Sequence, residues 1–161
     1  MSIQPINMIK LLLFYRYSSL VATSLFYITG VQQHDIGQRV LVITGMIVTS
    51  FVMNYLYLQN KGDKSKVLVL IVIETIGNCM ILIPSGGLQS PYIWYVFNTI
   101  MIAGIELGSV YLWGSVAVYL TSMIGISYRI NKVVPITNVL RLDYLNLVTG
   151  FVLVAFIIDL L

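Results

Sequence analysis

Charge is what this 161-residue chain has least of: 9 Lys and Arg against 6 Asp and Glu, 9% of the sequence. A soluble domain carries roughly 25% charged residues, so this inventory cannot cover an aqueous surface. Cysteine is nearly absent too. The one copy, Cys79, lies in an apolar run, which excludes a disulfide framework and a Cys/His metal set. The single histidine, His34, falls in a polar link, and no serine–histidine pair is recognised. No glycine-rich nucleotide loop or phosphate-binding lysine occurs, so the chain itself is not expected to catalyse phosphoryl transfer. The net charge of +3 comes without a basic cluster, so nucleic acid is not an expected partner. No small-residue cleavage site follows the first apolar stretch, and the first span is therefore expected to be retained.

What is present is apolar: 58% hydrophobic residues and a mean hydropathy of +0.92. The chain reads as a multi-pass integral membrane protein, an all-α polytopic helical bundle forming one domain over residues 1–161. A crossing helix needs about 20 apolar residues. Span one is expected over 17–31, with an interfacial lead-in over 8–15, and the polar link Gln32-Gln33-His34-Asp35 ends it. Span two is expected over 40–58, closed by the charged stretch 60–66; span three runs over 67–83 and stops at Pro84. About 36 residues, 92–127, are then largely apolar; as one helix they would be about 54 Å long at 1.5 Å per residue. Two helices with a turn near Gly104–Gly108 fit better. A polar loop over 129–143 precedes a last span over 144–161.

That makes six transmembrane helices. Orientation pulls the other way: six spans split the basic residues five to four, with Arg16 counted as a cytoplasmic flank. Five spans would give eight to one, as the positive-inside rule prefers. The last span ends at Asp159-Leu160-Leu161 without an interfacial anchor, so a further segment is expected beyond it.

One interruption stands out, Gly86-Gly87-Leu88-Gln89-Ser90-Pro91-Tyr92. Lipid tolerates non-helical backbone only where protein buries it, where it lines a cavity, or at the interface. Glycine reaches positive φ without steric cost, while Pro91 fixes its own φ and restricts Ser90. Such a loop can present backbone amides to a carbonyl or anionic group, and Tyr92, Trp94 and Tyr95 offer flat faces for a ring. The competing reading is a plain turn with an interfacial aromatic belt.

The heptapeptide resembles the Gly-Gly-x-x-Asn-Pro-Phe motif in the membrane domain of RegB/PrrB-type redox sensor histidine kinases. In that family it forms a short outer loop between the third and fourth of six helices and is implicated in quinone sensing. Tyr15-Arg16-Tyr17 is similar to the aromatic-Arg-aromatic opening of RegB-like and PilS-like kinases, and PilS-like kinases also carry an acidic residue in the helix before the loop, as Glu74 stands here. Ser90 replaces the family's Asn and Tyr92 its Phe. The resemblance implies a signal-input domain in the inner (cytoplasmic) membrane, with a membrane quinone as ligand and a homodimer as its assembly. It also implies a kinase core outside this chain that acts on a cytoplasmic response regulator. The ligand-binding residues expected on this basis are Gly86, Gly87, Leu88, Gln89, Ser90, Pro91, Tyr92, Trp94 and Tyr95, joined by Glu74 and Asn98. A stand-alone small membrane protein, a transporter subunit or assembly factor, is the alternative.

Glu74 lies in mid-span, with Asn78 four residues on and so on the same helical face. An intramembrane acid costs a few kcal/mol even on the lenient insertion scale. It serves either as a proton-coupled partner for a quinol hydroxyl or as interhelical glue. Glu106 is expected in a solvated turn. His34 is expected to be a loop histidine and Cys79 inert packing. Gly104/Gly108 and Ser18/Ala22 are small-xxx-small pairs, a weak sign of close helix approach.

Overall fold

The computed structural model describes residues 5–30, 35–132 and 141–160, with side chains from residue 12 onward. Among these the chain is helical throughout: α1 Pro5–Thr29, α2 Ile36–Gln59, α3 Lys64–Leu82, α4 Ile93–Ile102, α5 Ser109–Asn131 and α6 Arg141–Asp159. Four of them, α2, α3, α5 and α6, are long and apolar enough to cross a membrane. A 3-10 turn at Gly87–Gln89 precedes α4, and a π-helical turn at Ala103–Leu107 follows it.

The breaks have local causes. Gly62 (φ +87) turns the short link between α2 and α3, and Asp63 starts α3 by accepting the backbone N–H of Lys66 at 3.2 Å. The apolar run after the loop divides at Gly108, whose φ of 100° and ψ of −179° suit glycine alone. Its N–H donates to the carbonyls of Ala103 (3.2 Å) and Gly104 (3.0 Å), which widens the last turn of α4. The break thus falls within the expected Gly104–Gly108 stretch.

One expectation needs correction. Arg16, counted as a cytoplasmic flank, is an interior residue only 2% exposed, on a helix that runs without a break from Pro5 to Thr29. A charge inside an apolar run reads as a flank, but here a buried carboxylate answers it. Glu106 falls in the turn between α4 and α5, as expected, and is partly buried there. His34 and Leu161, and most of the polar loop ahead of α6, lie outside the described residues.

Helix α4 is the hub, with eight of its ten residues buried against α1, α3, α5 and α6. Phe97, Tyr119 and Phe151 stack in the core at ring separations of 4.6 and 6.2 Å. Gly104 lets α6 approach closely, since an added Cβ would stand 2.9 Å from Ile158 and 3.1 Å from Leu112. The outward faces are apolar, as at Phe51 and Val52 on α2 and Phe156 and Ile157 on α6.

Alternating helix directions give the bundle two ends. The lysine end holds Lys61, Lys64 and Lys66, the π-helical turn and the finish of α6. The loop end holds residues 83–92, the finish of α5 and the start of α6.

Candidate functional site

The loop is held from within. Ser85 Oγ donates to the Ile81 carbonyl (2.7 Å) and meets Ser90 Oγ at 2.6 Å, and Ser90 Oγ accepts the Tyr92 N–H at 3.2 Å. Ser85 and Ser90 are both buried, so each hydroxyl spends its hydrogen-bonding capacity on loop shape. Gly86 (φ 114°) and Gly87 (φ 61°) make the bend. A Cβ on Gly87 would approach Ile130 Cδ1 to 2.9 Å, so the loop packs directly on the end of α5. The carbonyls of Gly86 and Gly87 accept the N–H groups of Gln89 (3.2 Å) and Ser90 (3.1 Å), closing the 3-10 turn.

Between this loop and α6 lies an open groove of about 360 Å³. Leu88, Gln89, Ser90, Pro91 and Trp94 form one wall, and Asp143, Asn146, Leu147 and Gly150 the other. Trp94 is 61% exposed and lies 5.8 Å from the Phe97 ring. Small-molecule sites run from roughly 300 to 1,000 Å³ and mix apolar walls with a few placed polar groups. The groove has that size and composition: an indole face, a proline edge, two side-chain amides and the Asp143 carboxylate.

The expected site residues do not all meet here. Tyr92 turns into the core, 1% exposed, with its ring 5.4 Å from Tyr27 and its hydroxyl 3.4 Å from Ser24 Oγ. Tyr95 is buried as well and pairs its hydroxyl with Ser50 of α2. Both are structural supports of the loop end and the core, and neither lines the groove. Glu74 and Asn98, expected to join the loop residues, do not line it either.

Glu74 instead closes an interior polar cluster. Arg16 Nη2 donates to Glu74 Oε1 at 2.7 Å, and the Tyr57 hydroxyl donates to Oε2 at 2.9 Å. The Arg16 guanidinium also stacks over the Tyr57 ring, 5.4 Å from its centroid. Helices α1, α2 and α3 are therefore tied through one carboxylate, the geometry of interhelical glue. Asn78 extends the tie to α4 and α5, donating to Thr99 Oγ1 and the Tyr119 hydroxyl, each at 3.0 Å. Asn98 donates to Ser19 Oγ (3.1 Å) and to the Tyr95 carbonyl (2.9 Å).

Sequence reasoning missed Arg16 and Tyr57 as partners of Glu74. A signal was present: two opposite charges, each in an apolar run, each demand a mate in a low-dielectric interior.

No cluster of three or more metal-ligating side chains occurs among the described residues. No known family model, curated protein or solved structure matches the chain.

Proposed function

We propose that the chain is the six-crossing membrane input domain of a sensor histidine kinase. Its receptor surface is then the groove between the Gly86–Tyr92 loop and α6. One observation carries this reading: a loop braced by buried serines and two positive-φ glycines forms one wall of a ligand-sized groove, and the last helix forms the other. A mere connector needs no second wall. The ligand class that suits the groove is a quinone, with its ring against Trp94 and its carbonyls accepting from the side-chain amides of Gln89 and Asn146.

On this reading the bundle sits in the inner membrane as a homodimer, and α6 delivers the signal towards a kinase core and its response regulator. A ligand moves an equilibrium only by binding two states unequally. Contact with both walls supplies that inequality, because any change in loop–α6 spacing changes the fit. The interior favours this over a transporter: Glu74 and Asn78 hold helices together rather than line a route across.

The test uses the two tryptophans. With Trp113→Phe, Trp94 reports alone, and decylubiquinone titrated into the chain in lipid nanodiscs should quench it saturably. Pro91→Ala should weaken that binding while leaving the fold intact. Quenching that never saturates, or that is identical in Pro91→Ala, contradicts the reading.

A further inference from the structure

The Arg16 side of the bundle holds a second cavity, separate from the loop groove. It measures about 50 Å³ and is lined by Arg16, Asn54, Tyr57, Lys61, Asn98 and Glu106 among apolar residues. Its floor is buried at Arg16 and Asn98, and its rim is exposed at Lys61. Lys61 follows the end of α2 and Asn54 lies seven positions earlier, so the cavity extends inward from the lysine end by about 10 Å.

Two atoms of its lining residues lack hydrogen-bond partners among the described residues, Arg16 Nη1 and Asn98 Oδ1. The first is a charged donor. The second is an acceptor whose identity the geometry fixes: the other amide atom of Asn98 sits 2.9 Å from the Tyr95 carbonyl and must be the nitrogen. Nearly all buried polar groups in folded proteins find a partner, in protein or in ordered water. An unanswered donor and an unanswered acceptor in residues lining one polar cavity define the chemistry that would satisfy both. A carboxylate answers the arginine and is repelled by the amide oxygen. An ammonium does the reverse. An O–H group accepts from one and donates to the other.

Size narrows the choice. A water site needs about 10–15 Å³ by this measure, so roughly three to five small groups fit, whereas cavities that take a benzene ring are near 150 Å³. We infer that this cavity is a vestibule open at the lysine end that binds O–H groups, bridging Arg16 Nη1 to Asn98 Oδ1. The bridging hydroxyl belongs either to water or to the head of a membrane amphiphile whose chain lies along Leu12 and Leu58. In both cases a polar solute reaches the arginine that holds Glu74, and the occupant touches α1 and α4 together.

The experiment is sided thiol labelling of the full chain in vesicles, in a Cys79→Ser background. Ile102→Cys lines the cavity, and Ile100→Cys, fully buried two residues away, does not. A membrane-impermeant methanethiosulfonate needs a hydrated thiolate, so Ile102→Cys should react at least about tenfold faster than Ile100→Cys, and from the lysine end only. Asn54→Cys, also in the lining, serves as the second reporter should Ile102→Cys fold poorly. Equal slow rates at the lining and control positions, or faster labelling from the loop end, overturn the inference. Saturable protection by decanol but not decane assigns the hydroxyl to an amphiphile. Fast labelling without protection assigns it to water.

Discussion

At the scale of single residues, the Arg16–Glu74 contact is the feature on which most depends. Both side chains are at most 3% exposed, so neither charge has water to fall back on. Desolvation can cancel the attraction between buried ions, and such a pair is poor evidence of net stability; removing one member is another matter and costs about 3–5 kcal/mol. Glu74→Ala should therefore destabilise the bundle by about that amount in detergent unfolding, with Arg16→Met similar. The double variant Arg16→Met/Glu74→Leu should recover most of the loss, since no charge is then stranded. Glu74→Gln should fall between, because its amide oxygen still accepts from Tyr57. Additive losses in the double variant would show that the two side chains do not act as a pair.

The elements carry their own expectations. Gly104, in the π-helical turn, lies against α6 and α5, and a side chain there must push Ile158 and Leu112 aside. Gly104→Val should cost roughly 1–3 kcal/mol, the usual range for overpacking. Gly108→Ala imposes a side chain on φ 100°, an additional strain of roughly 1–3 kcal/mol read in the same unfolding assay. At the start of α3, the Lys66 backbone N–H and then its side chain hold the Asp63 carboxyl below the ordinary carboxylate range. A folded-state pKa lowered below the unfolded one contributes stability at neutral pH that is lost as pH falls through the folded value. Thermal melts of wild type and Asp63→Asn should thus converge only in acid, below the normal carboxylate pKa. A gap that persists unchanged at that acidity would contradict the capping role.

These elements were unequally legible. The twin glycines before Ser90-Pro91 announce a bend because backbone conformation is a local property, and Gly108 marks the break after α4 for the same reason. The Arg16–Glu74 pair was only half legible: each charge in an apolar run demands a mate, but the two lie 58 residues apart and only the fold, which packs α1 on α2 and α4, lets Arg16 reach Glu74. The burial of Arg16 was hidden for the same reason, because a lone arginine in an apolar run resembles a membrane flank until its carboxylate is found. The inward turn of Tyr92 and Tyr95 was hidden likewise. An aromatic beside a polar loop suits either a belt or a core, and neighbours decide.

For the whole molecule, withdrawing Arg16 into the interior changes the charge balance of the two ends. Lys10, Lys61, Lys64 and Lys66 fall at one end, and Arg39, Arg129, Lys132 and Arg141 at the other, four against four out of nine basic residues once Arg16 is set aside. The positive-inside rule then favours neither direction, and a sidedness assay on Gln89→Cys becomes the way to orient the bundle. The receptor reading expects labelling from the outer face. The loop–α6 groove and the cavity beside Arg16 lie at opposite ends of the bundle. Only the first engages the final helix, and the input surface is therefore proposed there. Spin labels at Gln89→Cys and Asn146→Cys, in a Cys79→Ser background, report the width of that groove directly by pulsed dipolar spectroscopy. Decylubiquinone should shift the distance distribution by about 1–2 Å, the scale of helix displacements in switching proteins. Superimposable distributions at quinone concentrations that saturate the Trp94 signal would contradict the account.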